Sequence, residues 1–399
     1  MDSAERRLPF LNVLRTLDYL QIIVMVLLLA VGLVFIRSTG LQIDTAESRG
    51  FFIRQLIWIV IGSGAYVFVS ALDYRSFFCR AAFVMGYALT VVLLIAVLFF
   101  GLKVFGATRW LNIFGFRLQP SEPAKLMVIG MLAAIFSAPE LKEQPFKSLL
   151  IAGAVVGLPF LLIVIEPDLG SALVLLPIAG AMLFCFGLKW RYVLIGIVLI
   201  GAGTGFILFD SFRQDPIVLR DYQRDRIRTF LDPESDLGNR GHNAHQARLA
   251  VGSGGWSGTG IGEGTQNQLG FLPHTVSNND FIFSVIAEET GFTGTAGLLL
   301  LYTLLLYSIL RTAFLTSGYG RYLCCGVATL IFCHVFINIG MSIGIAPVTG
   351  LPLPLVSYGG SFIMTAMTTL GIVQSVYRTT KAEAEDSPGK PEFRYIIKR

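Results

Sequence analysis

The stretch NNDFIFSVIAEETGFTGTAGLLLLYTLLLYSILR, Asn278–Arg311, decides the fold. From Asp280 to Arg311 it contains no proline, so it reads as one helix of 32 residues, about 48 Å long against a hydrocarbon core of about 30 Å. The apolar run Gly297–Leu310 fills the bilayer. Asp280, Glu288 and Glu289 are then left at headgroup depth or facing a wet cavity, since ionised side chains are costly in hydrocarbon. A lipid's phosphates sit at that level.

Working outward, the same apolar character recurs along the chain. It is 54% hydrophobic and 14% charged, against roughly 25% charged in soluble domains. The reading is an all-α polytopic membrane protein of about ten transmembrane helices, near 19–37, 51–71, 79–101, 122–137, 148–165, 169–187, 192–210, 281–310, 322–346 and 357–377. An even number places both termini on one side. Basic residues in the alternate short loops (Arg75 and Arg80, Lys142 and Lys147, Lys189 and Arg191, Arg311 and Arg321) mark that side as cytoplasmic. Residues 1–18 and 379–399 are then cytoplasmic segments, and 19–378 the membrane domain with one large extracytoplasmic loop, about 211–279. The polar opening residues run into the first span without a small-residue cleavage site, so that span is expected to stay as an anchor. All five cysteines fall in spans or near inner ends, which leaves no disulfide framework for the outer loop. The net charge of +5 orients the chain in a membrane and gives a nucleic-acid role little support.

One short outer segment breaks the charge rule. Lys103, Arg109 and Arg117 lie between the third and fourth spans, where cations are scarce. The run ATRWLNIFGFRLQPSEPAKL then enters the fourth span, with Ser121 as a helix cap and Pro123 tolerated in the first turn. Glu122 and Lys125 share a helix face at i, i+3. They form either a charged site facing a cavity or a pair that merely fixes the helix start. At the corner Glu166-Pro167-Asp168, Asp168 is either a cap for the next helix or part of a charged cluster with Arg109 and Lys125, and the cluster is the favoured reading.

In the long outer segment, Arg220, Arg224, Arg226 and Arg228 could grip phosphates, but a solvated surface helix explains them better. The glycine-rich run GSGGWSGTGIGEG lacks the strand and helix of a dinucleotide fold, so its glycines make tight turns, near an anion or simply packed flat. No HExxH, G-x-S-x-G or Walker A pattern is present. His334, inside the ninth span, reads as a packed or hydrogen-bonding residue. Pro347, Pro352 and Pro354 followed by Gly359-Gly360 interrupt the last spans; such backbone either lines a substrate path or forms a plain outer loop.

Taken in order, TRW at Thr108–Trp110, QPSEPAK, EPDLGSAL, FLDPESD, GSGGWSGTGIGEGTQ, LGFLP, DFIFSVIAEE and PVTGLPLPLVSYGGSF resemble the SEDS family (shape, elongation, division and sporulation), in its rod-shape branch. The resemblance implies a peptidoglycan glycosyltransferase of the bacterial cytoplasmic (inner) membrane. Its partners would be a class B penicillin-binding protein and other elongation-complex membrane proteins, and it would polymerise lipid II on the outer side. It implies Asp280 as the essential acid, with Arg54, Arg109, Glu122, Lys125 and Asp168 as substrate-binding residues. Two departures stand out: HTVSNN, 274–279, is longer than the family's usual spacer, and His242–Ala247 replaces its usual YQ…QS pattern. No cofactor is prescribed; a divalent cation, Mg or Mn, bridging carboxylates and pyrophosphate is left open. A flippase using the same charged cavity, and a non-catalytic scaffold in which Asp280 only caps a helix, are the rival readings.

Overall fold

The computed structural model describes residues 16–41, 46–77, 79–104, 107–113, 116–187, 240–269, 271 and 277–386, with isolated positions between 191 and 224. Nine of the ten expected spans are helices there: α1 (Tyr19–Leu41), α2 (Ala46–Ala71), α3 (Arg80–Phe100), α4 (Ser121–Phe136), α5 (Pro145–Ile165), α6 (Leu169–Cys185), α8 (Ile282–Leu315), α9 (Tyr319–Ile343) and α10 (Gly360–Asp386). The span expected at 192–210 lies largely outside the described residues. Six of the helices, α1, α2, α3, α5, α8 and α9, are long and apolar enough to cross a membrane. The others are short or partly polar. α4, at 16 residues, is the inner pillar of the bundle, with Val128, Ile129, Leu132 and Ala133 fully buried. Because protein surrounds it, it need not match the lipid thickness.

Between α3 and α4 the helical reading gains a small antiparallel meander, β1 (Leu102–Val104), β2 (Ala107–Ile113) and β3 (Phe116–Leu118). Leu111 pairs with Leu118, and Asn112 with Arg117. Side chains alternate along a strand, so Arg109 shares a face with the buried Leu111 and is turned toward the bundle. The outer segment expected at 211–279 contains a further helix, α7 (Arg240–Ser253), which packs on α8 and α9.

Three local expectations are corrected. The single helix from Asp280 is broken at Gly291, whose φ of 66° and ψ of −160° lie outside helical space. A Cβ there would stand 2.4 Å from the Gly258 amide nitrogen, so only glycine lets the glycine-rich turn approach this closely. Glu288 and Glu289 are also enclosed by protein rather than wet. Glu288 accepts from the Thr265 hydroxyl and the Gln266 amide, both at 2.9 Å, and Glu289 from Ser38 at 2.5 Å. These acids anchor the glycine-rich loop to α8 and α1. Lastly, Ser121 is the first helical residue of α4 rather than its cap, with Pro120 before it. Asp280 is no cap either, since Phe281 holds that position with no side-chain bond.

Candidate functional site around the Thr349–Leu355 segment

The non-helical backbone between α9 and α10 runs through the protein interior, with Leu351, Leu353, Leu355 and Val356 buried. Its prolines prevent helix formation, so its carbonyls must find side-chain donors. Asn338 of α9 donates to Leu351 O at 2.8 Å, and Tyr302 of α8 to Pro354 O at 2.6 Å. The Ser357 hydroxyl accepts from Leu353 N at 2.8 Å. The two donors to these carbonyls, Asn338 and Tyr302, are polar side chains on otherwise apolar helices, which explains their presence at membrane depth.

Asp280 lies against this segment. The second hydrogen of the Asn338 amide goes to Asp280 O at 2.9 Å, so one side chain ties both backbones together. Ser357 donates to Asn279 O at 2.6 Å, and Tyr358 N to Asn278 O at 2.9 Å. The Asn278 side chain accepts from Thr39 of α1. Gly350, at φ 76°, faces the Asp280 carboxylate so closely that a Cβ would stand 3.2 Å from Oδ2. The carboxylate is half-buried on a backbone fixed at three consecutive residues.

The Glu122–Lys125 pair forms as expected, at 2.8 Å, and both residues are buried. The structure adds a third member, His334, whose Nε2 lies 2.9 Å from Lys125 Nζ. Its Nδ1 is 3.1 Å from Pro352 O. An ammonium can only donate and a carbonyl can only accept, so the imidazole is neutral with its proton on Nδ1. Lys125, 1% exposed, therefore reaches the segment through His334 and presents no free ammonium to solvent.

Asp168 is both things the sequence allowed. It caps α6 through Ser171 N at 3.3 Å and the Ser171 hydroxyl at 2.9 Å. It also accepts from Gln119 at 3.0 Å and stands 3.8 Å from the Arg109 guanidinium. Arg109 donates as well to Pro167 O. Lys125 is not among these contacts; it binds Glu122 and His334 instead. Gly170, two residues beyond Asp168, packs on Thr349, where a Cβ would meet the Thr349 side chain at 2.8 Å. Beside this group, both Glu166 oxygens are buried with no hydrogen-bond partner among the described residues. Burial, reinforced by Asp168 and opposed by Arg109, pushes the Glu166 carboxyl up to about 8.

Of the six expected site residues, Asp280 thus reaches residues 349–352 directly, Lys125 through His334 and Glu122 through Lys125 and His334, while Asp168 caps the helix whose Gly170 packs on Thr349 and Arg109 joins through Asp168. Arg54 stands at the other end of the segment. Its exposed guanidinium bonds Tyr358 and lies over Phe51, while Arg117 acts on the same tyrosine. Arg224 spends its guanidinium on Ser211 O and Arg213 O, in keeping with a structural role. Arg220, Arg226, Arg228 and His274 lie outside the described residues. Among the described residues no cluster of three His, Cys, Asp or Glu side chains is assembled that could hold a metal ion. Asn338, Ser357 and Gly350 were missed. Their signal was there: His334 and Asn338 recur at i, i+4 in an apolar helix, where each polar group needs a partner.

The sequence profile of the cell cycle proteins FtsW, RodA and SpoVE matches residues 18–382. Peptidoglycan glycosyltransferase MrdB of Escherichia coli K12 is 37% identical over 362 residues, covering 90% of this chain and 93% of that one. Peptidoglycan glycosyltransferase RodA of Treponema pallidum is 31% identical over 428 residues, with 90% and 97% coverage. Among solved structures, a chain of a peptidoglycan synthase complex that coordinates polymerization and crosslinking superposes with a TM-score of 0.76 at 27% identity, covering 91% of this chain and 98% of that one. The rod shape determining protein RodA of Thermus thermophilus gives a TM-score of 0.64 at 26% identity, with 91% and 97% coverage. With its motifs in family order and its full membrane region matched, the chain belongs to the FtsW/RodA/SpoVE family of cell cycle proteins, the SEDS family, and is of the rod-shape type.

Proposed function

We propose that this protein polymerises lipid II into glycan strands during cell-wall elongation, with Asp280 as general base. It is a peptidoglycan glycosyltransferase, as its relatives over nine-tenths of the chain are named. The observation that carries the site reading is the Asp280 carboxylate, half-buried at Gly350 on a backbone pinned by Asn338. A base must be held where an acceptor hydroxyl can reach it, and fixing its backbone supplies that orientation.

In the reaction, the 4-hydroxyl of an acceptor N-acetylglucosamine attacks the anomeric carbon of a donor. Its proton passes to Asp280, the new C–O bond forms, and the bond to the lipid pyrophosphate breaks with its electron pair leaving on the phosphate oxygen. An α-linked donor and a β-linked product require inversion by single displacement, without a covalent sugar intermediate. The exposed Arg54 and Arg117, which meet at Tyr358, are the cations best placed to meet departing pyrophosphate, and Arg109 is half-buried against Asp168. Lys125, sealed by Glu122 and His334, acts through the shape and field of the site, and Asp168 orients Arg109. A divalent cation on the pyrophosphate would be revealed by a chelator titration that lowers polymerisation.

The site lies on the extracytoplasmic side of the bacterial inner membrane, at the end of the bundle away from the basic loops. The crosslinking partner is a class B penicillin-binding protein, supported by the likeness to a synthase complex that joins both activities. The test is purified protein with lipid II, with and without that partner, read as glycan length on a gel. Polymer that increases with the partner is expected. Transbilayer movement of lipid II without any polymer would favour the flippase reading, and full activity without the partner would remove the dependence.

A further inference from the structure

A cavity of about 340 Å³ is walled by Tyr74, Arg75, Cys79, Arg80, Ser137 and Tyr319. Its walls come from the α2–α3 corner, the C-terminal end of α4 and the turn from α8 into α9, whereas Asp280 precedes the start of α8. It therefore lies at the basic end of the bundle, remote from the candidate site. That end is cytoplasmic by its positive excess.

The cavity is built rather than incidental. Tyr74, 1% exposed, stacks on Tyr319 with ring centres 6.1 Å apart. The Arg75 guanidinium lies over the Tyr74 ring at 5.4 Å, and its Nε donates to the Tyr74 hydroxyl at 3.1 Å. Both Arg75 terminal nitrogens bind Glu383 on the extension of α10. The same extension clamps the corner backbone, because Arg378 donates to Ala71 O at 2.8 Å and Leu72 O at 3.1 Å.

Charge accounting then points to a ligand. Glu383 neutralises Arg75, but Arg80 forms no ion pair among the described residues. One net guanidinium faces a slot walled by tyrosine rings at the depth of the inner headgroups. A phosphodiester carries one negative charge and is attached to apolar chains, so it matches the slot in both respects. We propose that this cavity binds the phosphate of one anionic phospholipid of the inner leaflet, with Arg80 as its cation and the tyrosine walls against its glycerol and upper acyl carbons. The lipid would fill the gap between α3, α4 and α9. This site is independent of the glycosyltransferase chemistry.

The test uses the full chain extracted from bilayers containing phosphatidylglycerol or only phosphatidylcholine, with retained lipid counted by native mass spectrometry. Alkylation of the Cys79 thiol, followed on its own peptide, gives a second readout. The wild type should keep one phosphatidylglycerol, which slows Cys79 alkylation. Arg80→Gln should lower retention by at least about tenfold, as expected for loss of a charged hydrogen bond. Arg80→Lys should hold part of it, and Lys147→Gln, an exposed cation of the same face outside the cavity, should match wild type. Equal retention in Arg80→Gln, or equal loss in Lys147→Gln, would overturn the proposal. So would protection of Cys79 by inorganic phosphate alone, which would mark a site for soluble phosphate.

Discussion

The Asn338 side-chain amide donates to Asp280 O at 2.9 Å and to Leu351 O at 2.8 Å, joining the proposed base to the proline-rich segment through one residue. Asn338→Ala removes two buried hydrogen bonds, to Asp280 O and Leu351 O, each worth about 0.5–1.5 kcal/mol. The melting temperature should fall. Polymerisation should fall further, by about 100-fold, as a misplaced reacting group costs. Normal turnover in a destabilised variant would show that Asn338 supports the fold alone.

Glu122 and Lys125 should behave as a unit, because their 2.8 Å pair is buried and closed by His334. Removing one partner strands a buried charge, whereas removing both does not. Glu122→Gln and Lys125→Met should each reduce stability and polymerisation strongly, and the double variant should lose much less than the sum. Additive losses would assign the two residues separate roles.

Glu166 gives a pH signature. Its carboxyl is raised to about 8 by burial in the folded protein, against about 4.3 in an unfolded chain. The folded state thus holds a proton that the unfolded state releases between these values. Stability from this group is present below about 4.3 and is lost as pH rises through about 8. Glu166→Gln should flatten that decline in thermal scans between pH 5 and pH 9 (both about). An unchanged slope would mean that another group titrates.

Gly291 sets the break in α8. Its backbone conformation is one that glycine alone adopts readily, and the glycine-rich turn fills the space of a side chain. Gly291→Ala should cost at least about 1–3 kcal/mol, with proteolysis appearing first in the loop over residues 254–266. Wild-type melting would show that the loop can back away.

The spans were legible because apolar length is a local property, and nine described helices fall where the hydrophobic runs place them. The meander of 102–118 was not, since its strands of three, seven and three residues are too short for a clear alternation. Gly291 escaped for a different reason. A glycine inside an apolar run is compatible with helix, and only the distant Gly258 backbone excludes it. At the site, Glu122 and Lys125 were found from their spacing, but His334 and Asn338 serve carbonyls of a segment whose path through the interior no local pattern reveals.

Asp280→Asn tests the central claim most directly. Asparagine keeps the size of the side chain, Asp280 is not the cap of α8, and its backbone bond to Asn338 is untouched. The variant should insert and melt as wild type does, and copurify with the proposed class B penicillin-binding protein to the same extent. Its polymerisation of lipid II should fall by about 100- to 10,000-fold, the usual contribution of a general base. Near-normal glycan from a stably folded Asp280→Asn protein would contradict the assignment of Asp280 as the base.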